Sequence, residues 1–463
     1  MSCASWRGDV TGGRPAVTAA PAGRWWAAPA AVVAGAVLLA WPALLNGYPL
    51  VFSDTGGFLH QTTGPLMLWD KPWIYGPFLH LFHWRTTLWL PLAAQALVVS
   101  HLLWVTQSVL RGGATPGAHV AACTVAAALT AAPFTVALLM PDVFAPVVLL
   151  ALLLLGLGGG GLTRGEAAWL GGIAALGIAA HPAHLPLALA AIGMVLVTGR
   201  WRGAVRAALP LAAAVALVLA TNAVGHGRAA LSPHGATFLL ARLQADGPAT
   251  EVIRAQCPAA GWYLCAFADR FPMDSQTFLW SPESPVNRDA AGQARFLGGA
   301  MISREAAEIV AETLRTYSAD VAGAILRNTL AQIATISIGD TLTSHNLATA
   351  LRPRIAEAFP GMELAAFDDA LQARDALLPA VAWVVPAHLV TLILALPLLA
   401  VGALRGSDPL RRWFALALLA GLVANAVATG GLSGVFPRYQ ARIAWLLPVV
   451  AMLLLLPPRR RSA

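Results

Sequence analysis

Ten apolar runs, almost free of charge, constrain this chain of 463 residues more than anything else in it. They lie near 26–45, 88–110, 118–140, 143–162, 167–180, 185–198, 204–224, 378–404, 413–430 and 443–456. A helix crosses the roughly 30 Å hydrocarbon layer with about 20 residues, each rising about 1.5 Å. Hydrophobic residues make up 58% of the chain and charged residues 11%, against about 25% charged in soluble domains. Lipid is therefore the natural solvent, and the expected fold is an all-α polytopic membrane protein of about ten transmembrane helices. The first run is too long for the apolar part of a signal peptide and has no persuasive small-residue cleavage site, so it reads as an uncleaved helix. The runs at 167–180 and 185–198 are short and meet at His181-Pro182-Ala183-His184. Losing that pair would leave eight spans and the same parity.

The net charge is +8, with Lys71 the single lysine. The arginines fall in short clusters between apolar runs rather than on a basic face, which argues against a nucleic-acid partner. With the N-terminus inside, every cytoplasmic connection carries arginine: Arg7, Arg14 and Arg24; Arg111; Arg164; Arg200, Arg202 and Arg206; Arg405, Arg411 and Arg412; and Arg459, Arg460 and Arg461. That asymmetry orients the helices N-in and C-in. The chain then divides into a disordered cytoplasmic tail (1–25), an N-terminal bundle (26–224), an extracytoplasmic loop domain (225–377), C-terminal helices (378–457) and a short tail (458–463). Within the bundle, the first outer loop (46–87) contains a stretch, 74–84, that reads as an interfacial helix. The loop domain reads as mainly helical, with apolar periodicity over 303–327. It holds Cys257 and Cys265, eight positions apart, in a compartment where a bridge can persist; spacing leaves the pairing open. Cys123 reads as packing, and Cys3 lies in the tail.

Three short segments carry residues suited to chemistry. Asp54 follows the first run in Val51-Phe52-Ser53-Asp54-Thr55-Gly56-Gly57-Phe58, where the glycines permit a close approach; a capping Asp in a turn is the plainer reading. Asp142, in Met140-Pro141-Asp142-Val143, precedes a Leu-rich run and suits a helix N-terminus. Two acids at the same rim of a bundle are costly unless paired or used. Arg438 and Arg442, in Pro437-Arg438-Tyr439-Gln440-Ala441-Arg442, stand four apart on the outer side. They suit either headgroup snorkelling or a bound lipid phosphate. Eight histidines fall outside, and His80/His83 and His181/His184 have metal-compatible spacing, but no thiolate cluster accompanies them and no metal ligands are assigned.

Together these residues resemble the GT-C glycosyltransferases, membrane enzymes using polyprenyl-phosphate sugars, such as protein mannosyltransferases and aminoarabinose transferases. Asp54 matches the acid soon after the first helix, in an outer loop with interfacial helices. Lys71-Pro72-Trp73-Ile74-Tyr75-Gly76-Pro77 loosely matches the aromatic, basic, proline-rich stretch, Asp142 the acid of the second outer loop, and Arg438-Tyr439 the basic pair near the last helices. The likeness covers the N-terminal half well and the C-terminal half in outline. Lys71 stands where many relatives carry Arg, and the second outer loop lacks an acidic pair.

The resemblance implies an inverting transferase in a bacterial inner membrane, its large loop periplasmic. It would move a sugar from a polyprenyl-phosphate donor to a lipid, glycan or protein acceptor. Asp54 and Asp142 would be catalytic, and Lys71, Tyr75, Arg438, Tyr439, Arg442 and His181 would bind substrate. No cofactor is assigned with certainty; a divalent cation is compatible. The competing readings are a transporter or flippase of an amphipathic lipid or sugar, and an assembly protein with a partner-binding outer domain. A transporter usually places polar groups mid-membrane, and the spans offer only Gln95, His101, His388 and Asn425.

Overall fold

A computed structural model describes residues 26–64, 67–405 and 408–457. The tails expected at 1–25 and 458–463, with the arginines they hold, lie outside the described residues. The chain begins with α1 (Ala27–Leu39) and α2 (Trp41–Asn46), which follow almost end to end. The first loop carries α3 (Ser53–Thr63) and α4 (Tyr75–His83); the next long helix is α5 (Trp89–Arg111). Then come α6 (Pro116–Leu129), α7 (Ala132–Ala137), α8 (Phe144–Leu157), α9 (Arg164–Ala180), α10 (His184–Val197) and α11 (Trp201–His226).

The apolar run at 118–140 does not form one helix. Thr130 is extended, and Pro133 then begins α7, because proline suits a first turn and breaks a helix interior. The run at 143–162 ends early, where α8 meets four consecutive glycines, Gly158 to Gly161. All of α8 is buried. It is apolar on every side, as a helix surrounded by others must be, and it packs against α5, α9, α10, α11 and α23. Backbones come close between α8 and the start of α11, where a Cβ on Gly203 would lie 2.2 Å from the Gly156 carbonyl oxygen.

The large loop contains α12 (Gly235–Ala245), α13 (Pro248–Gln256), α14 (Ser275–Trp280), α15 (Gly298–Met301), α16 (Ser303–Thr316) and α17 (Ser318–Ala334). It continues through α18 (Leu347–Ala350), α19 (Arg352–Ala358), α20 (Gly361–Asp369) and α21 (Leu377–Val381). The periodic stretch expected over 303–327 is thus two helices broken at Tyr317. Cys257 and Cys265 form a disulfide. This loop serves two cores. Leu240, Ile253, Leu264, Phe278 and Ile309 build a separate one, while Leu342, Leu351, Ile355 and Phe367 join the bundle's own.

The chain ends with α22 (Val384–Leu404), α23 (Pro409–Ala426), α24 (Pro437–Ala444) and α25 (Leu446–Leu455). Past Ala426 the helix widens into a π-helical turn, Val427–Gly431, against which α17 packs: a Cβ on Gly430 would touch Gln332 at 2.4 Å. Among the described residues five helices are long and apolar enough to cross a bilayer: Trp89–Arg111, Trp201–His226, Val384–Leu404, Pro409–Gly431 and Pro437–Leu455. Ala27–Leu39, Pro116–Leu129, Pro141–Leu157 and His184–Val197 are shorter and also apolar. The protein is an all-α, multi-pass membrane protein.

Polar groups inside the bundle are spent on packing. Gln95 donates to the carbonyls of Val136 and Leu138 at 2.6 and 2.9 Å. His388 meets Ala131 N at 3.2 Å and the Ile336 carbonyl at 3.1 Å. Away from water, such bonds join helices because each polar group must find a partner.

Candidate functional site

Asp54 does not sit in a bare turn; it occupies the first turn of α3, where an acid complements the helix dipole. Thr55 fixes that start: its hydroxyl receives the Phe52 N–H at 2.9 Å and donates to the Leu139 carbonyl at 3.0 Å. Upstream, Leu50 N donates to the Ala137 carbonyl at 3.1 Å and Leu139 N to the Leu50 carbonyl at 2.8 Å. This short parallel bridge clips the Asp54 segment to the one leading into Asp142. Gly56 faces the Ala350 carbonyl so closely that a Cβ would come within 2.1 Å of its oxygen, whereas Gly57 faces the Lys71 stem.

Lys71 Nζ lies 3.1 Å from Asp54 Oδ1 and is also bound to Asp70. The lysine side chain is 13% exposed, while that of Asp54 is 37% exposed and open to approach. Burial alone would raise the Asp54 pKa, but Lys71 and then Arg438 outweigh it and hold the carboxyl below its ordinary value. The same carboxylates push the Lys71 pKa up. Both groups are charged at neutral pH.

Beside them lies a small cleft of about 20 Å³, partly open to solvent, with Asp142, Asp340, Arg438 and Arg442 on its wall and Phe134, Leu138 and Ile338 as apolar lining. Arg442 is fully buried. It donates to Asp142 Oδ1 at 3.1 Å and to Asn425 Oδ1 at 3.0 Å, and Asn425 in turn donates to Gln440 and to the Tyr439 carbonyl. Arg442 is therefore not a headgroup snorkel.

Arg438 differs. Its guanidinium stacks over Phe52 at 4.4 Å and Tyr439 at 4.8 Å, and it reaches the Tyr439 hydroxyl at 3.4 Å. Among the described residues no carboxylate lies within ion-pair distance of it, and its Nε is buried without a hydrogen-bond partner. Its backbone N–H donates to Asp340 Oδ2 at 3.2 Å.

The structure thus gathers most of the expected set. Asp142, Arg438 and Arg442 share the cleft. Asp54 and Lys71 lie across Phe52 from it, outside its wall yet electrostatically coupled to Arg438. His181 feels Arg442, Asp142, Asp54 and Arg438 together; burial and then Arg442 push its pKa down to about 4, so it is neutral at neutral pH. Tyr75 stands apart. It is fully buried, and its hydroxyl donates to Gln95 at 3.1 Å.

Three residues escaped the sequence reading. Asp340, behind Gly339 in the apolar stretch Ile336-Ser337-Ile338, carried a signal much like that of Asp54. Gln372 and Glu363 carried none. Gln372 binds Val51 on both backbone groups, at 3.2 and 2.7 Å, as well as the Thr341 carbonyl, and Glu363 receives Tyr48 and Leu88 N–H. They lock the late part of the large loop onto the first loop.

The arginine-rich ends of the helices lie opposite this site. Arg200 donates to the Leu157 carbonyl and Arg411 to the Leu454 carbonyl, at the far ends of helices that begin beside Asp142 and Arg442. Among the described residues no three His, Cys, Asp or Glu side chains gather to hold a metal. Asp54 and Asp142 each face a cation of the protein instead, so this donor set does not fit a divalent ion. The chain matches no protein family, no curated protein and no solved structure with which it was compared.

Proposed function

We propose that the chain is a membrane glycosyltransferase, of the GT-C kind its motifs resemble, moving a sugar from a polyprenyl-phosphate to an acceptor hydroxyl. The observation that carries this reading is Arg438: a guanidinium held over aromatic rings, with no carboxylate partner, beside a partly open carboxylate and a second cation. A planar fork with unused donors suits a phosphate. Ten spans, with the arginine ends in the cytoplasm and the site at the outer surface, complete the proposal. The disulfide in the large loop supports that side, since bridges persist outside the cytoplasm.

In the reaction, the donor phosphate sits against Arg438 and draws Lys71 from its carboxylates. That movement matters, because a carboxylate held by Lys71 is a weak base. Once released, Asp54 takes the proton from the acceptor hydroxyl as its oxygen attacks the anomeric carbon. The bond from that carbon to the phosphate oxygen breaks, and its electron pair leaves with the lipid phosphate, stabilised by the two cations. One glycosidic bond replaces one phosphoester bond, with inversion. Asp142 is a positioning residue that holds Arg442 and with it the last turn of α24. Neutral His181 faces the acceptor.

The test is a transfer assay in liposomes with a panel of polyprenyl-phosphate sugars. Transfer from at least one donor, lost in Arg438→Gln, supports the reading. A wild-type protein that moves sugar from none of them, while it carries an intact lipid across the bilayer, overturns it.

A further inference from the structure

The large loop lays an aromatic surface beside the ion pair of Asp54 and Lys71. Trp69 stacks on Phe238 at 5.2 Å and leans on Trp280 at 6.1 Å. Trp280 ends α14, whose start is capped by Asp274 receiving the N–H groups of Gln276 and Thr277. Two aromatic neighbours hold the ring, yet it remains 46% exposed. Lys71 Nζ lies 5.8 Å from the Trp280 ring centre and 3.1 Å from Asp54 Oδ1. The ring and the carboxylate are therefore no more than about 9 Å apart, a span one hexopyranose bridges.

We propose that the acceptor is a carbohydrate, whose terminal pyranose lies flat on Trp280 and turns a hydroxyl toward Asp54. A pyranose has an apolar C–H face and an edge of hydroxyl groups. An exposed indole ring meets the first, and the carboxylates of Asp54 and Asp70 with the Lys71 ammonium meet the second. An acyl chain would satisfy the ring but would lay hydrocarbon over three ion-paired groups and offer them no hydrogen bond in place of water, which disfavours it. This assignment rests on the transferase reading and narrows its acceptor to a glycan.

Calorimetric titration of the full-length protein in nanodiscs with methyl glycosides and short oligosaccharides tests the site without requiring turnover. Wild type should bind at least one glycoside. Trp280→Ala should weaken that binding about tenfold and Trp280→Phe much less, as expected for a stacking contact. Equal affinity in Trp280→Ala, or no glycoside bound by wild type, overturns the site. So does quenching of fluorescence by bromine-labelled acyl chains that is smaller in Trp280→Ala than in wild type by the share of one tryptophan, since it places the ring in lipid. Glycoside binding without transfer from any donor would sink the transferase reading and leave this site standing.

Discussion

Arg442 donates to Asp142 at 3.1 Å across 300 residues of chain, and both side chains are almost wholly buried. The pair joins the turn that leads into α8, the central helix, to the last turn of α24. Removing one charge leaves the other buried and unpartnered, at a cost of about 3–5 kcal/mol. Arg442→Met should therefore lower the unfolding temperature in detergent markedly. Asp142→Leu combined with Arg442→Met, which removes both charges, should lower it less than Arg442→Met alone.

Asp54→Asn keeps the size and hydrogen-bonding edge of the side chain and removes its basicity. Transfer should fall by about 10²–10⁴-fold, the usual contribution of a positioned base. Thermal stability and donor binding should stay close to wild type, because Asp54 is partly exposed and Lys71 keeps Asp70. Transfer at the wild-type rate would remove Asp54 from the mechanism.

The pH profile reports on the same carboxyl. Burial raises its pKa, and Lys71 and Arg438 lower it by more. Asp54 thus stays ionised until the pH falls through that lowered value. The acid limb of kcat/KM, which reports the free enzyme with Lys71 still on Asp54, should lie below the ordinary aspartate value of about 3.9. In Lys71→Met the largest opposing charge is gone, and the limb should move up. A limb at one pH in both proteins would mean that another group titrates.

Two glycines should respond in opposite ways to alanine. At Gly56 a Cβ would lie 2.1 Å from the Ala350 carbonyl oxygen and force backbone apart, so Gly56→Ala should cost about 1–3 kcal/mol. At Gly172, in α9, nothing lies within 4 Å of an added Cβ, so Gly172→Ala should be stabilising by up to about 1 kcal/mol through helix propensity. Melting curves of the two variants decide both.

The disulfide closes a short loop at the base of the separate core. Replacing Cys257 and Cys265 by serine should destabilise the large loop by about 2–3 kcal/mol. Limited proteolysis within 240–321 should report the change, with cleavage inside α5 and α8 unaffected.

Sequence alone determined the solvent of this protein and its helical class, because hydropathy and charge are properties of local runs. It also singled out Asp54, Asp142, Arg438 and Arg442, since an acid or a guanidinium beside an apolar run stands out whatever the fold. What each one does was decided by packing. Arg438 and Arg442 look alike four positions apart; only the approach of Asp142 and Asn425 partners the Arg442 guanidinium, while among the described residues no carboxylate comes within ion-pair distance of the Arg438 guanidinium. Tyr75 read as a binding residue, and the contact with Gln95 made it a buried support. Gln372, Glu363 and Trp280 are ordinary in sequence. Their importance comes from contacts hundreds of residues long or from an exposed ring set against a distant lysine, and no local pattern encodes either.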